Sequence, residues 1–254
     1  MAVTSGKGGV GKTTVACAIA NCIAETGRNV GVLDADVTGS NVMEAFGLDE
    51  YELELKGMKI IPKTYKNMKI ISSSTLAESP EVPILASGEL KRKIISQMVE
   101  AVDWSGVEYL IVDMPPGASD ELIESVRSAG PSLVGAVIVS TPSSLSAVDV
   151  NRMIKIFQKM AVPILSIVWN MEKVDVKCPK CGHSFSVELW DGDRRLRRMK
   201  CPIDRVPYVG GITALDTEFW SKHLNETIRS ILSSDTITKK ISRRIARYVR
   251  GVQI

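Results

Sequence analysis

Neither sign of charge dominates this chain: 32 Lys and Arg stand against 29 Asp and Glu, for a net charge of +3. So small an excess does not describe a surface coated throughout for nucleic acid. There is no apolar run of the ~18 residues that a membrane span needs, no low-complexity linker and no internal repeat. Cysteine is scarce and odd in number, five in 254 residues. An export signal is not expected, because a glycine-rich loop already begins at Gly6, where the apolar segment of a signal would start. An odd cysteine count without export points to a reducing compartment, the cytoplasm, where thiols stay free or bind metal.

What is present describes an ordinary soluble globular protein: 44% hydrophobic residues, 24% charged residues and a mean hydropathy of +0.07. The length suits one large α/β domain with a sizeable core. Apolar runs alternate with helical patterns, as in strands joined by crossover helices. Strands are expected at 2–5, 29–34, 109–113, 134–140 and 164–169, and helices near 12–26, 88–102, 119–129, 145–160 and 214–232. The strands lack clean alternation, as strands buried on both faces of a parallel sheet should. "MKIIP" (58–62) and "MKIIS" (68–72) read as the two arms of one edge hairpin. Residues 172–205 break the rhythm, being polar, charged and bounded by cysteines.

"GKGGVGKTT" (6–14) fits the G-x-x-x-x-G-K-[ST] phosphate loop and lies between an apolar strand and a helix, the context this motif requires. Its glycines let backbone N–H groups curl around phosphate oxygens, and the helix N-terminus favours an anion. Gly6, Lys7, Gly8, Gly9, Val10, Gly11, Lys12, Thr13 and Thr14 are therefore the expected ATP-binding stretch, with Lys12 on the β- and γ-phosphates and Thr13 on Mg²⁺. Two acidic strand ends follow, where ligands bind in open parallel sheets. "VLDADVTGSN" (32–41) sets Asp34 and Asp36 two apart, one for the magnesium and one for the attacking water; "YLIVDMPPG" (109–117) sets Asp113 for Mg²⁺. A helix N-cap after a strand is the plainer use of such aspartates.

The second lysine of the loop, Lys7, makes "KGGVGKT" resemble the deviant phosphate loop of the MinD/ParA superfamily, whose early lysine reaches across a nucleotide-sandwich dimer to the partner's ATP. That resemblance implies a three-layer P-loop NTPase fold, a homodimer gated by nucleotide, and Lys7, Lys12 and Asp36 as the catalytic set. "DMPPGASDE", "STPSSLSAVDVNRM", "VWNM" and "VPYVGGI" further resemble the Mrp family of ATP-binding iron–sulfur carriers, nearly from end to end. The resemblance implies a slow ATPase serving apo iron–sulfur client proteins, with Asn170 on adenine. It also implies one [4Fe–4S] cluster shared between the Cys178–Cys181 pairs of two subunits.

The cysteine spacing read alone leaves zinc, iron–sulfur and thiol exchange open. "CPKCG" is followed, after nineteen residues, by "CPID". The resulting C-x2-C-x19-C-x2-D pattern imitates a zinc ribbon, with Cys178, Cys181, Cys201 and Asp204 as ligands, or His183 as the fourth. A Zn²⁺ ribbon would suit the alternative of a MinD/ParA-like positioning or partner-binding switch that carries no cluster. Cys17 and Cys22 are expected to be small buried apolar residues. The division implied is an ATPase domain over 1–234, containing the 172–205 insertion, and a basic amphipathic helix over 235–254. The wet face of that helix is the plain reading of its Lys and Arg; membrane-surface docking or nonspecific DNA binding are its rivals.

Overall fold

The structure is a computed structural model that describes residues 1–36, 41–48, 54–73, 75, 98–117, 122–123, 126–127, 133–189, 203–207 and 214–233. Eight strands form the main sheet: β1 (Ala2–Ser5), β2 (Val30–Asp34), β5 (Lys63–Tyr65), β6 (Met68–Ser72), β7 (Tyr109–Asp113), β8 (Ala136–Ser140), β9 (Ile164–Trp169) and β12 (Ile203–Arg205). Their order is β12-β9-β8-β1-β7-β2-β6-β5, and every neighbouring pair is parallel except β5–β6. Two separate hairpins pair β3 (Glu54–Lys56) with β4 (Lys59–Ile61), and β10 (Lys173–Lys177) with β11 (Ser184–Glu188). Helices delimited among the described residues are α1 (Lys12–Glu25), a single turn α2 (Val42–Ala45), α3 (Ser144–Lys159), α4 (Thr217–His223) and α5 (Asn225–Ser233).

The central strands are largely apolar, without alternation, because both faces are covered. Successive residues of β8 show it: Val137 and Val139 join the core beneath α1, whereas Ala136 and Ile138 join the core beneath α3. On the first side Val15, Ile19 and Ile23 of α1 pack with Trp220 of α4 and Ile231 of α5; on the second, Met153 and Phe157 of α3 pack with Val112 and Ile167. Cys17 and Cys22 lie in the first core, and burial raises the pKa of both thiols.

Three expectations are corrected here. The two "MKII" segments do not pair: β4 turns back on β3 through Gly57 at φ 63°, while β6 pairs with β5 across a two-residue turn holding Lys66 at φ 51° and lies parallel to β2. Pro62 has no N–H to continue a ladder after β4, so the chain breaks there and starts a second hairpin. The single helix expected over 214–232 is two, interrupted at Leu224. Residues 203–205, expected inside the insertion, form an edge strand of the main sheet. The helices expected near 88–102 and 119–129 fall largely outside the described residues, as does all of the basic helix over 235–254.

Candidate functional site

β1, β2 and β7 end side by side, and the loop from β1 into α1 runs over their ends. Asp113 is in register with Val3 on one side and Asp34 on the other. A cleft of about 520 Å³ opens above them, lined among others by Lys7, Gly8, Gly9, Gly11, Lys12, Thr13, Thr14 and Asp36. The structure thus gathers most of the expected phosphate-loop residues around one space.

Within it, Asp113 is fully buried and holds both side chains expected at the phosphates and metal: Lys12 Nζ lies 2.6 Å from its Oδ1, and Thr13 Oγ1 lies 2.6 Å from its Oδ2. Burial pushes the Asp113 carboxyl up to about 6, the Lys12 ammonium draws it down, and the Asp34 carboxylate in the next strand pushes it up again. Two buried carboxylates beside a hydroxyl are a donor set of the kind a hard divalent cation takes. The residues present therefore fit Mg²⁺.

Asp34 also braces the segment that follows it. Its Oδ1 accepts the Asp36 N–H at 3.0 Å, and its Oδ2 accepts those of Asn41 and Val42 at 3.1 and 3.2 Å. That brace delivers Asp36, 8% exposed, to the cleft wall. Opposite, Gly117 at φ 90° donates its N–H to the Ser5 carbonyl at 2.8 Å, so the turn after β7 is tied to the phosphate loop. Such a turn requires glycine, because a side chain at that φ would meet the neighbouring carbonyl.

Asn170, at the end of β9, packs against the loop. Its Nδ2 donates to the Val10 carbonyl at 2.9 Å, and it is not among the residues lining the cleft. Asn41 and Glu44 do line the cleft and were not singled out from the sequence. Glu44 carries no motif signal; Asn41 stood in the quoted "DADVTGSN" without a role.

Cys178 and Cys181 sit at the connection between β10 and β11. Cys178 N–H donates to the His183 carbonyl at 2.8 Å, Gly182 N–H returns to the Cys178 carbonyl at 2.9 Å, and Gly182 takes φ 73°. The backbone amides of Cys181 and Lys180, and the Cys181 thiol, point at the Cys178 sulfur and hold its pKa below the ordinary thiol value. Cys181 is exposed and Cys178 half-buried. This is a knuckle shaped to stabilise thiolate and present it outward.

Asp204, the last position of the ribbon pattern, is engaged elsewhere. Asp204 lies in β12 and is 7% exposed; its Oδ1 accepts the Glu226 N–H at 3.1 Å and its Oδ2 that of Thr227 at 2.7 Å. The expected metal ligand is instead the cap of α5, satisfying amides that would otherwise be orphaned. Among the described residues no three His, Cys, Asp or Glu side chains gather to hold a metal; Cys201 lies outside those residues.

Comparison with known proteins places this geometry. The family described as ParA, NUBPL iron-transfer P-loop NTPase, matches residues 1–249. An iron–sulfur cluster carrier protein of Synechocystis is 40% identical over 175 residues, covering 67% of this chain and 49% of that protein. The chain thus spans about half the length of that relative. An iron–sulfur cluster carrier protein of Pyrococcus horikoshii is 33% identical and covers 80% of this chain and 74% of its own length. A homologue of the cytosolic Fe–S cluster assembly factor NUBP2 from Trichoplax adhaerens is 36% identical, with 82% and 78% covered. Among solved structures, a nucleotide-binding protein of Archaeoglobus fulgidus in complex with ADP superposes with a TM-score of 0.66 at 29% identity, covering 90% of this chain and 85% of that one. The septum-site protein MinD of Pyrococcus horikoshii with Mg-ADP shares the fold, with a TM-score of 0.63 at 18% identity over 94% of this chain and 97% of that one. The fold expected from the alternating strands and helices is the one found, and on the match over residues 1–249 the chain belongs to the NUBPL-type iron-transfer P-loop NTPases of the ParA group.

Proposed function

We propose that this protein is a slow, Mg²⁺-dependent ATP hydrolase that pairs with a second copy around two ATP molecules and carries an iron–sulfur cluster to apo client proteins. The observation that carries the reading is the outward-facing Cys178–Cys181 knuckle in a chain whose relatives are named as iron–sulfur cluster carriers. Two thiolates are half of the four that a [4Fe–4S] cluster takes, so a second copy supplies the rest. The cluster is cargo, bound at an exposed place from which it can leave.

At the nucleotide, the backbone N–H groups of residues 8–13 and the Lys12 ammonium receive the phosphates, and Lys7 extends from an exposed loop position toward a neighbouring copy. Thr13, Asp34 and Asp113 would hold Mg²⁺, which neutralises phosphate charge when bound. Lys12 must then leave Asp113 for the phosphates, so the ion pair seen here is exchanged for a stronger anion. Asp36 orients the water for in-line attack on the γ-phosphate, and the positive charge of Lys12 and Lys7 stabilises the transition state. The ribbon that takes Asp204 as its fourth ligand is not favoured, because that carboxylate is committed to α5. Likeness to MinD at 18% identity speaks for the fold alone.

Anaerobic reconstitution with iron and sulfide tests the reading. About four irons per pair of chains are expected, lost on Cys178→Ala or Cys181→Ala, together with loss of ATP turnover in Lys12→Ala. One tightly held zinc per chain, with no iron taken up, would overturn it.

A further inference from the structure

The structure joins the phosphate loop to the cysteine hairpin through two residues, Asn170 and Met171. The Asn170 backbone N–H continues the β8–β9 ladder by donating to the Ser140 carbonyl at 2.8 Å, while its side chain donates to the Val10 carbonyl at 2.9 Å, 160 positions away in sequence. The next residue, Met171, takes φ 59°, a conformation that costs a non-glycine residue roughly 1–2 kcal/mol. Glu172 then donates its N–H to the Val206 carbonyl at 3.0 Å, accepts the Leu189 N–H at 3.1 Å and pairs with Arg205. Lys173 begins β10, which runs straight to Cys178.

The contact on the loop is tight and directional. Gly11 takes φ 79°, and a Cβ there would lie 2.3 Å from Asn170 Nδ2 and 3.7 Å from Met171 Cε. A trans peptide points its C=O and N–H in opposite directions. Fixing the Val10 carbonyl on Asn170 therefore turns the Gly11 N–H away from Asn170, and Gly11 lines the cleft. A phosphate oxygen that drew this N–H would rotate the same peptide plane, and the rotation would pull on the Asn170 amide. Five residues of β10 place the cysteine knuckle on the order of 17 Å beyond the joint, so a turn of about 10° there moves the sulfurs by ~3 Å.

We propose that Asn170 is a positioning residue with two faces: it aims the Gly11 N–H at the nucleotide, and through the left-handed Met171 joint it reports nucleotide occupancy to Cys178 and Cys181. This rests on the carrier reading for its purpose and not for its test. The joint is a two-residue link in direct contact with the phosphate loop at one end and leading into β10 at the other, and through such a contact two sites can bias each other.

The experiment is alkylation of Cys178 and Cys181 in the full, metal-free chain, followed residue by residue by mass spectrometry. It is run with and without saturating non-hydrolysable ATP analogue and Mg²⁺. In the parent, nucleotide should change the alkylation rate of the pair about fivefold or more. Asn170→Ala, with analogue binding verified and the concentration raised to saturation, should lose that change. Met171→Gly accepts the same φ, keeps the amide and slackens the joint, so it should also lose most of the change; it decides the matter should Asn170→Ala not fold. An unchanged alkylation rate in the parent, or full nucleotide response in a folded variant, overturns the inference. No cluster is needed, so failure of iron uptake with the alkylation response intact would sink the carrier reading and leave this link standing.

Discussion

Replacing Asp113 by asparagine separates what this side chain does for the fold from what it does for the nucleotide. The carboxyl is fully buried and its pKa stands at about 6 against an ordinary 3.8, burial being the chief cause. A pKa that is higher in the folded chain means that the fold is favoured while the acid is protonated. That advantage is complete below about pH 4 and is lost as pH rises through about 6. A displacement of about 2 units corresponds to about 3 kcal/mol, charged against the fold at pH 7.5 in the absence of metal and nucleotide. Asparagine imitates the protonated acid: its carbonyl can accept from Lys12 and its NH₂ can donate to the Thr13 hydroxyl. Asp113→Asn should therefore melt higher than the parent at pH 7.5 in chelator, by about 6–12 °C for a chain of this size. Between pH 4.5 and 7.5 the parent should lose stability and the variant should stay flat by comparison. ATP turnover in Mg²⁺ should be lost. A lower melting temperature for the variant at pH 7.5, or a pH slope equal to the parent's, would refute the reasoning and show that the Lys12–Asp113 pair is a net stabiliser.

Gly11→Ala meets both a left-handed φ of 79° and the Asn170 amide at 2.3 Å, and should cost roughly 1–3 kcal/mol with loss of nucleotide binding by calorimetry. Asp204→Ala removes two N–H bonds from the start of α5; it should lower stability by about 1–2 kcal/mol in chemical denaturation, while iron uptake per chain stays at the parent's level. Cys178, whose thiol is held below its ordinary pKa by amides of the knuckle, should be alkylated by iodoacetamide at neutral pH well before Cys17 or Cys22, whose thiols burial raises. Equal rates at the three positions would contradict that ordering.

The parts of this protein that could be read from its sequence are those whose chemistry is local. The phosphate loop announces itself because one short segment must contain the turn glycines, the lysine, the hydroxyl and the start of a helix. β1, β7 and β9 were placed to the residue because strands covered on both faces are largely apolar runs without alternation. Pairing was not legible. Two segments spelled "MKII" look like natural partners, yet β6 is claimed by β2, a choice made by the sheet. Asp204 shows the same limit from another side. A carboxylate three residues past Cys201 has the spacing of a ligand, and only the arrival of α5 beside β12 reveals it as a cap. Asn170 was expected on adenine from the resemblance, and its role as a brace was not legible, since its partner Val10 lies 160 positions away.

The hairpin carrying Cys178 and Cys181 is closed at its own base, where the Leu189 N–H meets the Glu172 carbonyl at 3.1 Å. Its two roots therefore stand side by side on the parent scaffold, as the ends of a cassette do. A replacement hairpin of different length or ligand content, grafted between those two residues, would leave every hydrogen bond of the main sheet intact. On the carrier reading proposed above, cargo selectivity could thus be rewritten, by evolution or at the bench, while the nucleotide site is kept unaltered.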